Sequence, residues 1–211
     1  DNINYEYIIR YIRDTIPSSE GFIKELEEYA KVNAVPISQP ESIRLTEILL
    51  KLKNPDRILE IGSAIGYSAI KMALASNAQI TTIELSDEMA DKAEENIEKM
   101  GLSHRIKVLR GDAAQVIKTL DTEFDVIFMD AAKGHYMDFF NECDRLIKKG
   151  GLLISDNVLY KGMTATDDLV VRRKITIVRR LRAYLEMLKE NKDYSTAIIP
   201  IGDGVALSIK E

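Results

Sequence analysis

From about Ile58 onward, short β-rich apolar runs alternate with amphipathic stretches, and this alternation confines the chain to a parallel sheet covered by helices. The runs occupy residues 57–61, 79–84, 105–110, 124–130 and 152–156. Between them, residues 67–76, 87–100, 113–120 and 136–148 carry apolar side chains at three- and four-residue spacing, as crossover helices do. The ending differs. Residues 196–201 and 205–210 are strand-like runs joined by Gly202-Asp203-Gly204, a hairpin that brings the last strand in antiparallel. Ahead of the sheet, residues 3–16 and 19–32 read as helices. Ser38-Gln39-Pro40-Glu41 has the spacing of a capping box opening a third helix to Leu52. The expected organisation is one domain over 1–211, with N-terminal helices over 1–56 and an α/β core over 57–211. At 211 residues and 45% hydrophobic content the chain can bury one sizeable core but not two comfortable ones. The longest irregular stretch runs from Asn157 to about Leu169, directly after a strand, and is a candidate lid.

Several classes are excluded by what is missing. No apolar run approaches the roughly 18 residues of a membrane helix, and Asp1-Asn2-Ile3-Asn4 lacks a signal pattern, so a cytoplasmic protein with no membrane partner is expected. One cysteine, Cys143, and two histidines, His104 and His135, are too few for a closed zinc site. Cys143 reads as helix packing and the two histidines as surface or loop residues. Any metal must rest on oxygen.

The first strand-to-helix junction reads Glu60-Ile61-Gly62-Ser63-Ala64-Ile65-Gly66-Tyr67-Ser68, where two glycines let the backbone turn tightly and approach a ligand. Alone, such a pair is no more than a tight turn. The second strand, however, ends in Glu84, an acid suited to ribose hydroxyls. The third ends in Gly111-Asp112-Ala113, placed to edge an adenine. A G-x-G-x-x-G phosphate fingerprint is absent, so a cofactor without phosphates fits better. S-adenosylmethionine is such a molecule, and Glu60 could favour its ammonium end directly or through solvent.

The fourth and fifth strands end in Asp130 and in Asp156-Asn157. Adjacent strands lie about 5 Å apart, so two carboxylates and one amide converge on the same rim. That donor set suits Mg²⁺, Mn²⁺ or Ca²⁺ far better than Zn²⁺. Taken singly, each Asp could instead cap the helix or turn that follows. Lys133, three residues beyond Asp130, is a candidate general base, since a lysine beside a divalent cation gives up its proton more readily than one in water.

With these residues assembled, the chain resembles the cation-dependent O-methyltransferases related to catechol and caffeoyl-CoA methyltransferases, of the class I S-adenosylmethionine-dependent fold. Within that group it is most similar to bacterial tRNA 5-hydroxyuridine methyltransferases. The resemblance spans nearly the whole chain. It is carried by Tyr29-Ala30 with Val35-Pro36-Ile37, by residues 58–70, by Asp130-Ala131-Ala132-Lys133-Gly134, by residues 156–162, and by residues 196–200 through Gly202-Asp203-Gly204. It implies a Rossmann-like, mostly parallel, seven-stranded sheet with an antiparallel last strand. Cofactor contacts are implied at Ser38, Gly62, Ser68, Glu84, Asp112 or Ala113, and Asp130. Implied metal ligands are Asp130, Asp156 and Asn157, with Lys133 as base. At Ser38, relatives often carry a larger apolar residue such as methionine. The resemblance also implies a homodimer and methyl transfer to the 5-hydroxyl of a wobble uridine, which makes the tRNA anticodon region a partner. A small catechol or phenylpropanoid is the alternative acceptor, and a non-catalytic cofactor- or RNA-binding protein a third class.

The net charge of −5 hides one local reversal. Between Val171 and Arg182 stand Arg172, Arg173, Lys174, Arg179, Arg180 and Arg182 with no acid among them. Spacings of seven put Arg172 with Arg179 and Arg173 with Arg180 along one side of a helix, a pattern that engages RNA phosphates or forms a solvated face. Tyr136 and Tyr160 could stack on a base or simply pack.

Overall fold

The computed structural model describes residues 2–211. Strand β1 (Arg57–Ile61) lies between β2 (Gln79–Glu84) and β4 (Phe124–Met129), and β2 also pairs with β3 (Ile106–Arg110), all parallel. Strand β5 (Ile147–Ser155) pairs parallel with β4. Strand β7 (Val205–Lys210) then enters antiparallel between β5 and β6 (Tyr194–Ile199), as the Gly202-Asp203-Gly204 turn predicts. The seven-stranded order is β3-β2-β1-β4-β5-β7-β6.

Each strand sends alternate side chains to opposite faces, and both faces are buried. Ile58, Val126, Phe128 and Ile154 join one apolar cluster with α2 (Gly21–Val32), α3 (Pro40–Lys53), α4 (Tyr67–Ala75) and α5 (Asp87–Lys99). Leu59, Ile61, Ile127 and Met129 join the other with α7 (Tyr136–Leu146) and α8 (Ile175–Glu190). The strand alternation therefore decides which acids fall on which side. Among the described residues no helix is long and apolar enough to cross a membrane.

Four sequence expectations are corrected. The capping box does not form: Gln39 precedes α3 and makes no side-chain cap. Ser38 turns instead to Asp130, and Glu41 is buried against Arg13 of α1 (Glu6–Asp14) at 2.8 and 2.9 Å, which ties α1 to α3. Helix α7 stops at Leu146 because Ile147 already pairs with Phe124 across a register shift, so β5 starts five residues earlier than its apolar run. The expected helix over 113–120 is a short α6 (Ala113–Val116) followed by a 3₁₀ turn at Ile117–Thr119. The segment after Asn157 is packed and does not serve as a loose lid. Val158 and Met163 are buried, Val158 and Leu159 bond to the backbone of Gly204 and Asp203, and Arg182 holds the carbonyls of Met163 and Thr164.

The turn after β1 has no room for a side chain. Gly62 has φ +95°, and a Cβ there would lie 2.6 Å from the carbonyl oxygen of Asp130. Gly62→Ala is expected to destabilise the protein by at least about 1–3 kcal/mol from backbone strain alone. Urea unfolding should show a lowered midpoint, and an unchanged midpoint would contradict the close approach of β1 and β4.

Candidate active site

The carboxyl ends of β1 to β5 open into a cavity of about 660 Å³. On its cofactor side the sequence-predicted residues come together. Gly62, Ser68, Glu84, Gly111, Asp112 and Ala113 all line it. Glu84 is held rigidly, its Oε2 accepting from Ala64 N at 2.8 Å and its Oε1 from Ser86 N at 2.9 Å. Asp112 caps α6 by accepting from Ala114 N at 2.9 Å, so both the capping and the cavity-lining readings of a strand-end acid hold for it.

Glu60 is placed differently from the expectation. It does not line the cavity but lies fully buried behind Ser68, where the hydroxyls of Ser68 and Thr82 hydrogen-bond its carboxyl. Burial pushes that carboxyl up to about 7, with the two hydroxyls opposing the shift and Asp130 and Glu84 adding repulsion. No direct contact from Glu60 to a ligand's ammonium group is available behind Ser68.

Across the cavity, the ends of β4 and β5 bring Asp130, Asp156 and Asn157 together. Asn157 Nδ2 donates to Asp130 Oδ1 at 2.9 Å, and Asn157 N donates to Asp156 Oδ1 at 2.7 Å. Asn157 sits at φ +61°, a left-handed conformation that asparagine tolerates better than most residues. Ser38 Oγ donates to Asp130 Oδ2 at 3.2 Å, so this serine supports the acid while lining the cavity. Burial raises the Asp130 carboxyl, opposed by the charge of Lys133 and the bonds from Ser38 and Asn157. Asp156 is pushed up to about 8, first by burial and then by Asp130. Lys133 lines the cavity on a 3₁₀ turn (Lys133–His135) between β4 and α7.

One contributor escaped the sequence reading, and one takes the packing alternative offered for it. Asp203, taken only as part of a hairpin turn, accepts from Lys161 N and is raised by burial. Its charge adds to the push on Asp156. Tyr136 is fully buried, and its hydroxyl reaches the carbonyls of Asp156 at 2.7 Å and Met129 at 3.2 Å, clamping the ends of β4 and β5. It cannot stack on a base. Tyr160 is nearly buried too, with Lys174 Nζ 5.7 Å from its ring centre. Nothing in the local sequence of Gly202-Asp203-Gly204 signalled the role of Asp203, while Tyr136 lies six residues beyond Asp130.

The basic run is also rearranged. Arg172–Lys174 form a 3₁₀ turn and α8 begins at Ile175, so the seven-residue spacings do not build one helical stripe. Acids from elsewhere answer part of the charge: Arg182 pairs with Asp167 at 2.6 Å, and Arg180 with Asp138 at 3.6 Å. Arg180 also donates to the carbonyl of Gly134 at 2.9 Å, beside Lys133. Arg172, Arg173 and Arg179 remain exposed.

Comparison with known proteins gives this arrangement a context. A catechol O-methyltransferase of Niastella koreensis is 30% identical over 222 residues, covering 99% of both chains. A Staphylococcus aureus protein, provisionally named a caffeoyl-CoA O-methyltransferase, superposes with a TM-score of 0.91 at 34% identity, over 98% of this chain and 100% of its own. A Podospora anserina methyltransferase solved with S-adenosylhomocysteine superposes with a TM-score of 0.89 at 26% identity, over 98% and 94%. Residues 17–211 match the O-methyltransferase family, and the chain belongs to it.

Proposed function

We propose that the protein transfers a methyl group from S-adenosylmethionine to an acidic hydroxyl on a planar ring, with a divalent cation held by Asp130, Asp156 and Asn157. The observation that carries this reading is the convergence of two buried carboxylates with an amide and Lys133 on the rim of a cavity already provided with Glu84 and Asp112. The cation fits what these residues lack. Asp130 and Asp156 repel each other in a buried setting, and Lys133 is the positive charge that offsets both. Among the described residues no three His, Cys, Asp or Glu side chains form a metal cluster, so the site rests on two acids and one amide, as hard oxygen-seeking cations accept.

S-adenosylmethionine supplies an electrophilic methyl, and the divalent cation supplies positive charge that favours the ionised acceptor. The chain's residues do the rest. Glu84 accepts the ribose hydroxyls, and Asp112 with Ala113 edges the adenine. Lys133 Nζ, in its neutral form, takes the proton of the acceptor hydroxyl as the acceptor oxygen forms its bond to the methyl and the methyl–sulfur bond breaks, releasing S-adenosylhomocysteine. Rigid placement on strand ends supplies orientation, which can account for several kcal/mol of the barrier.

The acceptor has two candidates. A small catechol or phenylpropanoid is better backed by the relatives, whose names are those of catechol and caffeoyl-CoA methyltransferases. The 5-hydroxyl of a tRNA wobble uridine is supported by one observation on this chain, the exposed Arg172, Arg173 and Arg179, the last on the helix whose Arg180 is bonded to the Lys133 turn. Comparing kcat/KM for 5-hydroxyuridine-containing tRNA with that for catechols decides between them.

Three outcomes are expected. EDTA and Asp156→Ala should each abolish methyl transfer, measured as S-adenosylhomocysteine formed; turnover surviving exhaustive chelation would remove the cation from the reaction. Lys133→Ala should lower kcat by about 10²- to 10⁴-fold while leaving the Kd for S-adenosylhomocysteine nearly intact, and a loss under about threefold would demote it to a surface lysine. If tRNA is the acceptor, replacing Arg172, Arg173 and Arg179 together by Ala should flatten the salt dependence of binding by roughly two to three units of slope, with kcat at saturating tRNA little changed. Equal salt slopes for variant and parent would leave these arginines a solvated surface.

A further inference from the structure

Glu60 is a fully buried carboxyl near the cavity to which the proposed reaction gives no task. Its neighbours across the sheet are Thr82 on β2 and Phe128 on β4, and Ser68 of α4 covers it. Both of its hydrogen-bond partners are neutral hydroxyls. The charged groups facing it from the adjacent strand ends, Glu84 and Asp130, are acidic. The basic side chain of α4, Lys71, is committed to Glu47 of α3 at 2.8 Å. A carboxylate in this setting is buried without a counter-charge, which favours the neutral acid.

A neutral acid carries one proton, and the geometry says where it goes. The hydroxyl of Thr82 is fully buried with Glu60 as its acceptor, so it must donate, and the oxygen it meets must be the bare one. The acid proton then lies on the oxygen facing Ser68, and Ser68 Oγ accepts it. This frees the Ser68 hydroxyl proton to point elsewhere. Ser68 lines the cavity and is the second residue of α4, in a helical first turn whose unpaired N–H groups also favour an anion. When Glu60 is ionised the relay runs backward: Ser68 donates to Glu60 and shows only lone pairs to the cavity.

Resting on the S-adenosylmethionine reading of this cavity, we propose that Glu60 is a positioning residue that works as a neutral acid, making Ser68 a hydrogen-bond donor to the carboxylate of the cofactor's amino-acid tail. Binding of that carboxylate and protonation of Glu60 are then one linked event. Burial raises Glu60 to about 7, so at pH 8 the free protein holds it mostly ionised and binding must draw in a proton. A role in attracting the ligand's cationic groups predicts the opposite, since Glu60 would then lose its proton on binding.

The test is calorimetric titration of S-adenosylhomocysteine at pH 8 in buffers of different ionisation enthalpy, with wild type and Glu60→Gln. The glutamine amide donates to Ser68 and accepts from Thr82, fixing the neutral-acid pattern. Wild type is expected to take up about 0.5 to 1 proton more than Glu60→Gln, and the difference isolates Glu60 from other linked groups. The variant should bind as tightly at pH 8, or up to about tenfold tighter, with a flatter pH dependence between 6.5 and 8.5. Ser68→Ala, which keeps Glu60, should lose both the uptake and at least about fivefold in affinity, and it decides the matter if Glu60→Gln does not fold. Equal uptake in wild type and Glu60→Gln, or net release by Glu60, overturns the relay. Absence of any binding by folded wild type overturns the cofactor reading itself, and the relay with it.

Discussion

Between β1 and β4 the chain changes the direction in which it crosses the sheet, running outward from β1 through β2 to β3 and then returning past β1 to β4, so the connections on the two sides diverge and leave a crevice at the strand ends. The candidate site is arranged around that crevice. Gly62 lies on one side and Asp130 on the other, with Asp130 N donating to Ile61 O at 3.0 Å. The crevice is therefore closed at its base by backbone alone. A side chain at Gly62 would separate the two strands, and the cofactor side of the cavity would move away from the acid side.

The same geometry gathers negative charge. Glu60, Glu84, Asp130, Asp156 and Asp203 come from five different segments and end near one another, Glu60 and Asp156 buried and the other three partly so. Each has a different local answer to the repulsion. Glu84 is stabilised by two backbone N–H groups, and Asp203 by Lys161 N. Glu60 has only hydroxyls. Asp130 and Asp156 have Asn157, Ser38 and the charge of Lys133 between them, which does not bring either back to the ordinary carboxylate range. The repulsion is left unrelieved at Asp130 and Asp156, where a cation would have the most oxygen donors. The electrostatics thus divide one acidic rim into regions of different chemistry.

Much of this was legible in the sequence because the signals were local. Short β-rich apolar runs, helical spacing and the Gly-Asp-Gly turn depend on neighbours in the chain, and the sheet with its antiparallel final strand follows from them. Asp130 and Asp156-Asn157 were legible because strand ends in a parallel sheet share a rim. What failed were inferences needing a partner distant in sequence. Ser38 and Glu41 look like a capping box until Asp130 and Arg13 claim them. The basic run looks unanswered until Asp138 and Asp167 fold against it. Glu60 looks like a ligand contact because its neighbours in sequence are, whereas the alternation of β1 turns it to the α4 face, under Ser68 and beside Thr82.

Helix α8 braces two parts of the acid rim. Arg180 grips the carbonyl of Gly134, so the turn carrying Lys133 is braced by the same helix whose exposed arginine, Arg179, faces solvent. Arg182, two residues further, pins the segment after Asn157 through Met163 and Thr164. The turn carrying Lys133 and the segment after Asn157 are thus both referenced to one helix. A cavity of about 660 Å³ lies within the range that holds one cofactor-sized ligand. An acceptor sharing it with a cofactor would extend toward the Lys133 turn, which lines the cavity. The bonds from Arg180 and Arg182 hold the turn carrying Lys133 and the segment after Asn157 in place against α8.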